Sequence, residues 1–137
     1  MNQLHNETAP VVLPLHPRTR AAIRKFNLKL DVQVIGPVGY QEMIWLLKHC
    51  DLVLTDSGGE KESFFFGKRC VTLRDETEWL ELVVTAGANR LAGADKTTIV
   101  EAAKASIGLP IDGSLGLYGG GNAAGKIAAH LAAKAIQ

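Results

Sequence analysis

Short apolar runs rich in β-branched residues alternate along this chain with longer stretches whose apolar positions recur every three and four residues. Runs of the first kind suit strands and those of the second suit helices lying on them, so their alternation dictates βα units around a parallel sheet. The fold class is α/β, a Rossmann-like parallel sheet flanked by helices. The spacing predicts strands over residues 11–15, 32–36, 52–55, 70–73 and 89–93, and helices over 18–26, 41–49, 61–66, 79–86, 97–107 and 122–136. The continuous run Leu52-Val53-Leu54 predicts a strand covered on both faces. In the second helix Met43, Ile44, Leu46 and Leu47 make an apolar stripe for the sheet, and Trp45 is left between packed and exposed. Residues 108–121, rich in glycine, read as a loop. The alanine-rich run that follows reads as a helix with little apolar area for docking on its own.

With 137 residues, 47% of them hydrophobic, the chain has the length of one domain with a proper core rather than a disordered tail. Fifteen basic against 14 acidic residues leave a formal charge of +1, which lacks the footprint of a general nucleic-acid binder. An anionic ligand must then be held by local geometry. No apolar run approaches the roughly 18 residues of a membrane span, and the first ten residues have no secretory h-region, so the expected address is the cytoplasm. Cys50 and Cys70 sit in apolar surroundings with neither CxxC spacing nor a His/Cys cluster near them, as reduced structural thiols do.

The stretch Leu52-Val-Leu-Thr-Asp-Ser-Gly-Gly-Glu-Lys-Glu62 reads as a buried strand, a small polar turn and a helix start. Ligands of open α/β sheets collect at the carboxyl ends of strands, where helix N-termini present unpaired N–H groups. Gly58 and Gly59 let backbone approach phosphate oxygens, and the Ser57 hydroxyl can donate one more bond. The plainer alternative is an ordinary connection with Ser57 or Asp56 as N-cap. Val71-Thr-Leu-Arg-Asp-Glu-Thr-Glu78 also leaves a strand at its carboxyl end, and Arg74 is the side chain type that grips phosphate in a bidentate manner. There Asp75 or Thr77 could instead cap the helix containing Trp79. His16 suits a ligand, a proton donor or a helix cap, the cap being the simplest reading. His5, His49 and His130 read as surface residues. No metal-site spacing, cofactor motif or nucleophile–base pair is present in the sequence.

Five motifs in order, Leu13-Pro-Leu-His-Pro-Arg-Thr-Arg20, Gly36-Pro-Val-Gly-Tyr40, Leu54-Thr-Asp-Ser-Gly-Gly59, Leu73-Arg-Asp-Glu-Thr-Glu-Trp79 and Tyr118-Gly-Gly-Gly-Asn-Ala-Ala124, resemble the non-hydrolysing UDP-N-acetylglucosamine 2-epimerases. Phe64-Phe-Phe-Gly-Lys68 with Glu78-Trp-Leu-Glu-Leu82 resembles the branch acting on UDP-2,3-diacetamido-uronic acids. The resemblance is to the C-terminal half of a two-domain GT-B architecture. It implies that Ser57, Gly58 and Gly59 hold the diphosphate, Glu62 the ribose hydroxyls and Arg74 the phosphates, while residues 38–43, Val38 and Met43 among them, cradle uracil. His16 stays a further candidate. The implied ligand is UDP or a UDP-sugar, with no cofactor, nucleic acid or membrane. The reaction it implies removes the C2 proton, expels UDP from C1 and returns UDP after the C2 configuration inverts. The family's acid and base residues match nothing in this sequence, so the chain is expected to need an N-terminal epimerase domain, supplied in trans by another chain or belonging to the same protein.

One departure touches the site. The family's SGG-x-Q-x-E spacing is one residue shorter here, in Gly59-Glu60-Lys61-Glu62. On a helix of about 3.6 residues per turn, one residue turns a side chain by about 100°. Either the helix entry rewinds or Glu62 points away, and Glu60 brings negative charge towards a diphosphate. Two other functions fit the residues: a non-catalytic nucleotide-binding or regulatory module of the same fold, and the C-terminal domain of a GT-B glycosyltransferase. A separated half is also expected to expose an apolar patch near Val38, Met43 and Phe64 and to self-associate.

Overall fold

The computed structural model describes residues 1–134. Five short strands and seven helices follow one another as α1 (Asn2–Glu7), β1 (Val12–Pro14), α2 (Pro17–Lys25), β2 (Gln33–Ile35), α3 (Tyr40–His49), β3 (Val53–Thr55), α4 (Glu60–Phe65), β4 (Cys70–Thr72), α5 (Leu80–Val84), β5 (Asn89–Leu91), α6 (Lys96–Ser106) and α7 (Ala123–Lys134). All five expected strands and all six expected helices are present; the strands and helix α5 are shorter than expected, α7 begins one residue later, and α2, α3, α4 and α6 each begin one residue earlier. Residues 135 and 136, assigned above to the last helix, lie outside the described residues.

Every strand pairing is parallel, but the strands form two sheets, β1-β2 and β3-β4-β5. Only β4 is fully covered: Cys70, Val71 and Thr72 are all buried, as befits a strand paired on both sides. The expectation that Leu52-Val53-Leu54 is covered on both faces fails, because all three are half-buried and β3 has a neighbour on one side only. The two sheets share a core. Leu4, Val100 and Ala103 pack with Val11, Leu52, Leu54 and Ile99, and the last three of these also pack on Val71, Ala92 and Ala102.

Helix α1 had no signal in the apolar spacing, being six mostly polar residues, too short to persist alone. Tertiary ties hold it. Leu4 enters the core, the Asn2 amide donates to the Lys29 carbonyl at 2.8 Å, and Lys104 meets Glu7 at 3.4 Å. His5 is half-buried rather than a surface residue, since its Nδ1 accepts the Val11 N–H at 2.9 Å. In α3 Leu47 is buried while Met43 and Trp45 are exposed, Trp45 stacking on His49 at 4.2 Å. Residues 108–121 include two 3₁₀ turns, 113–115 and 117–121, and α7, exposed along its described length, leans on the second.

Candidate functional site

Strands β3 and β4 run parallel as neighbours, so the turn after β3 and the loop after β4 leave the same end of one sheet. This brings Ser57-Gly58-Gly59 and Arg74 to one rim. The turn is tied by Thr55, whose hydroxyl accepts the Ser57 N–H at 3.1 Å and lies 3.1 Å from Ser57 Oγ. The Gly59 N–H donates to the Ser57 carbonyl at 2.8 Å. Among the described residues no hydrogen bond reaches the Gly58 N–H. Neither Ser57 nor Asp56 caps α4: the N-cap is Gly59, with no side-chain bond. Neither Gly58 nor Gly59 has positive φ, and a Cβ on Gly58 would meet open space, so backbone conformation does not demand this glycine.

Helix α4 turns Glu60 and Ser63 onto β4 and leaves Glu62, about 200° round from Glu60, in solvent. Glu60 is 1% exposed. Its Oε1 lies 3.1 Å from the Thr72 hydroxyl, 3.3 Å from the Thr77 hydroxyl and 3.5 Å from Arg74 Nη2. Thr72 Oγ1 is also 3.0 Å from Asn89 Oδ1, yet a hydroxyl carries one proton. Turning the Asn89 amide end for end resolves the conflict: Nδ2 then donates to Thr72, and Thr72 donates to Glu60. Glu60 Oε2, Arg74 Nε and the end of the Asn89 amide that points away from Thr72 are buried without a protein partner among the described residues.

Arg74 forks onto Glu78, at 3.3 and 3.1 Å, and this pairing, with Glu60 behind it, raises the guanidinium pKa and lowers that of Glu78. The Thr77 hydroxyl accepts the Trp79 N–H at 3.1 Å, so Thr77 ties down the entry to α5.

Over α4 lies an aromatic cluster that the spacing of apolar residues did not reveal. Tyr118 packs edge-on to Phe64, Phe65 and Trp79, with centroids 5.6 to 6.4 Å apart, and its hydroxyl donates to Glu81 at 2.6 Å. Burial and then Glu81 push the phenol well above the usual tyrosine range, while the bond lowers the Glu81 carboxyl. Lys61 Nζ sits 3.6 Å from the Trp79 ring centroid, a cation–π contact. Phe64 is therefore not in a patch with Val38 and Met43. It lines a groove of about 380 Å³ with Phe65, Ile111 and Leu117.

Val38 lines a separate apolar groove of about 260 Å³ with Ile35, Glu42, Trp45 and Leu46, and Met43 stays outside it. His16 caps α2, its Nδ1 accepting the Arg18 N–H at 3.2 Å, which is the simplest of the roles open to it. Cys50 is half-buried, and burial pushes the fully enclosed Cys70 thiol up to about 12, as for an unreactive structural thiol. No cluster of metal-ligating side chains and no helix long and apolar enough to cross a membrane occurs among the described residues.

The family model for UDP-N-acetylglucosamine 2-epimerase matches residues 1–132. The chain belongs to the UDP-N-acetylglucosamine 2-epimerase family. Within that family it is 61% identical over 133 residues to the UDP-2,3-diacetamido-2,3-dideoxy-D-glucuronate 2-epimerase of Pseudomonas aeruginosa, covering 96% of this chain and 37% of that protein. It is 41% identical over 99 residues to the UDP-N-acetylglucosamine 2-epimerase of Methanocaldococcus jannaschii, covering 67% of this chain and 27% of that one. The crystal structure of the Methanocaldococcus jannaschii epimerase in complex with UDP-GlcNAc and UDP superposes on 77% of this chain with a TM-score of 0.70 at 34% identity, and 31% of that structure is covered. The Neisseria meningitidis epimerase bound to UDP-GlcNAc matches 74% with a TM-score of 0.62 at 32% identity, covering 29% of that structure. The chain thus spans about a third of the epimerases it resembles.

Proposed function

We infer that this chain is the UDP-binding part of a UDP-sugar 2-epimerase, inactive until joined by the rest of the family's polypeptide. The observation that carries this reading is the Ser57-Gly58-Gly59 turn beside Arg74 at the carboxyl rim of β3 and β4 in an epimerase-family chain. The diphosphate lies over the Gly58 N–H, the Ser57 hydroxyl and Arg74. Uracil lies in the groove of Val38 and Glu42, and Glu62, free in solvent, reaches the ribose hydroxyls once nucleotide is bound.

The family chemistry eliminates UDP and adds it back, so the leaving group must stay in place between the two steps. Fixing it is a task of position and charge, for which a preformed turn and an arginine suffice. The Pseudomonas aeruginosa relative's name supports a UDP-2,3-diacetamido-uronic acid as the sugar nucleotide. The fold as one domain and a cytoplasmic address belong to the same proposal.

A second reading rests on a specific observation. The Ser57 and Gly59 amides are bonded within the turn and Arg74 is matched by two carboxylates, as in a module that has kept the fold and lost the nucleotide. Amide shifts separate the two. On titration with UDP, the Gly58 resonance moves and saturates, whereas uridine alone leaves it in place. A Gly58 resonance indifferent to UDP overturns the binding assignment.

A further inference from the structure

The rim that carries Ser57, Gly58 and Gly59 holds more negative than positive charge. Arg74 is matched there by two carboxylates, the fork of Glu78 in front and Glu60 behind. Lys61, the next cation along α4, turns its ammonium group over the Trp79 and Tyr118 rings, where Glu81 feels it. Asp56, Glu62 and Asp75 lie in solvent. Cys70 and Tyr118, which also sense Glu60, are pushed too far up to ionise near neutral pH.

The two carboxylates are not equivalent. The Glu78 side chain is 66% exposed, so water and ions screen it, whereas that of Glu60 is wholly enclosed. An enclosed charge acts through protein of low dielectric and is felt further away. Glu60 cannot withdraw. It follows Gly59 directly in the chain, its carbonyl accepts the Ser63 hydroxyl at 2.7 Å, and its Oε1 is tied to Thr72 and Thr77. Its Oε2 has no protein partner among the described residues to disperse the charge.

A fixed, unscreened negative charge beside the anion-binding turn sorts ligands by their own charge. Free UDP carries one charge on its inner phosphate and two on its terminal phosphate once the pH exceeds a pKa of about 6. A sugar esterified to the terminal phosphate removes one of these charges and leaves uracil, ribose and the inner phosphate unaltered. We propose that Glu60 is a specificity-determining residue, which makes this site favour the sugar-esterified diphosphate over free UDP by opposing the third charge of the free nucleotide. An arginine without buried carboxylate behind it would favour the more highly charged ligand, the opposite order. This inference rests on the diphosphate assignment proposed above and concerns which ligand that site prefers.

The test is calorimetric titration of the full chain with UDP and with two of its esters, UDP-N-acetylglucosamine and the methyl ester of the terminal phosphate, which has the charge of a sugar nucleotide and no sugar to make contacts of its own. At pH 8 both esters bind about threefold or more tightly than UDP. At pH 5.5, where most of the UDP has taken up one proton, the gap closes. Glu60→Gln abolishes the preference at pH 8, and Glu78→Gln, which removes the screened charge, reduces it by less. A merely structural role for Glu60 moves all three ligands together, so a ratio of UDP to methyl ester that is unchanged in folded Glu60→Gln overturns the proposal. UDP that binds the unaltered chain at pH 8 as tightly as the methyl ester overturns it whether or not the variant folds. In both of these cases the diphosphate assignment stands. A folded chain that takes none of the three ligands overturns that assignment, and this inference with it.

Discussion

Glu60 Oε1 stands 3.5 Å from Arg74 Nη2, a buried carboxylate reaching the one arginine that the diphosphate assignment needs. The contact follows from chain geometry: α4 begins directly after Gly59, and its first turn directs Glu60 onto β4. A carboxylate there competes with phosphate for the same guanidinium. Glu60→Gln keeps an acceptor for Thr72 and Thr77 while removing the charge, and it should tighten UDP binding severalfold in a calorimetric comparison. Glu60→Ala instead strands the Thr72 and Thr77 hydroxyls and should cost about 1–3 kcal/mol in chemical denaturation.

Arg74→Ala should weaken UDP binding, and by more at low salt than at high, because the guanidinium is partly exposed and its field is screened by ions. Titrations at two ionic strengths read this directly. An equal loss at both would trace the effect to a folding defect.

Gly93 closes β5 against the loop after β4, donating its N–H to the Arg74 carbonyl at 3.2 Å with φ at +59°. A Cβ there would strike the Asp75 carboxylate. Gly93→Ala should therefore lower stability by about 1–2 kcal/mol from the left-handed backbone, with the exposed Asp75 side chain turning aside to admit the methyl group. Urea midpoints compare the two proteins, and a midpoint that does not move refutes the left-handed conformation at Gly93.

Tyr118 adopts a left-handed backbone at φ +66°, held there by its ring contacts and its bond to Glu81. The folded phenol keeps its proton above the usual tyrosine pKa of about 10, so its contribution is complete below that value. It falls as pH rises further, because the unfolded chain ionises first. The Glu81 carboxyl is lowered, so its contribution is present above the ordinary glutamate value and is lost as pH falls through the folded one. Tyr118→Phe should remove the first dependence and weaken the second in melts followed across pH, and should delete a late step from the phenolate absorbance.

The strands and most helices were legible because β-branched runs and three-four spacing report burial directly, as at Cys70 to Thr72. Helix α1 was not, since three long-range ties make it and none leaves a local period. The division of the strands into two sheets was likewise invisible, because pairing partners are set by topology and not by any one strand's residues. At the site, Ser57, Gly58, Gly59, Glu60 and Arg74 stood out in the sequence, but nothing in it signalled the bonds from Glu60 to Thr72 and Thr77 or the contact of Thr72 with Asn89. Tyr118 was quoted only as part of a motif. Its meeting with Trp79 and Lys61 joins residues that are 39 and 57 positions apart in the chain (118 less 79, and 118 less 61).

The central claim, that this chain holds UDP, is tested most directly by calorimetric titration of the purified chain with UDP, uridine and inorganic phosphate in parallel. The account predicts saturable heat with UDP at one site per chain and far weaker binding of either part alone. A folded sample that gives no heat with UDP would contradict it.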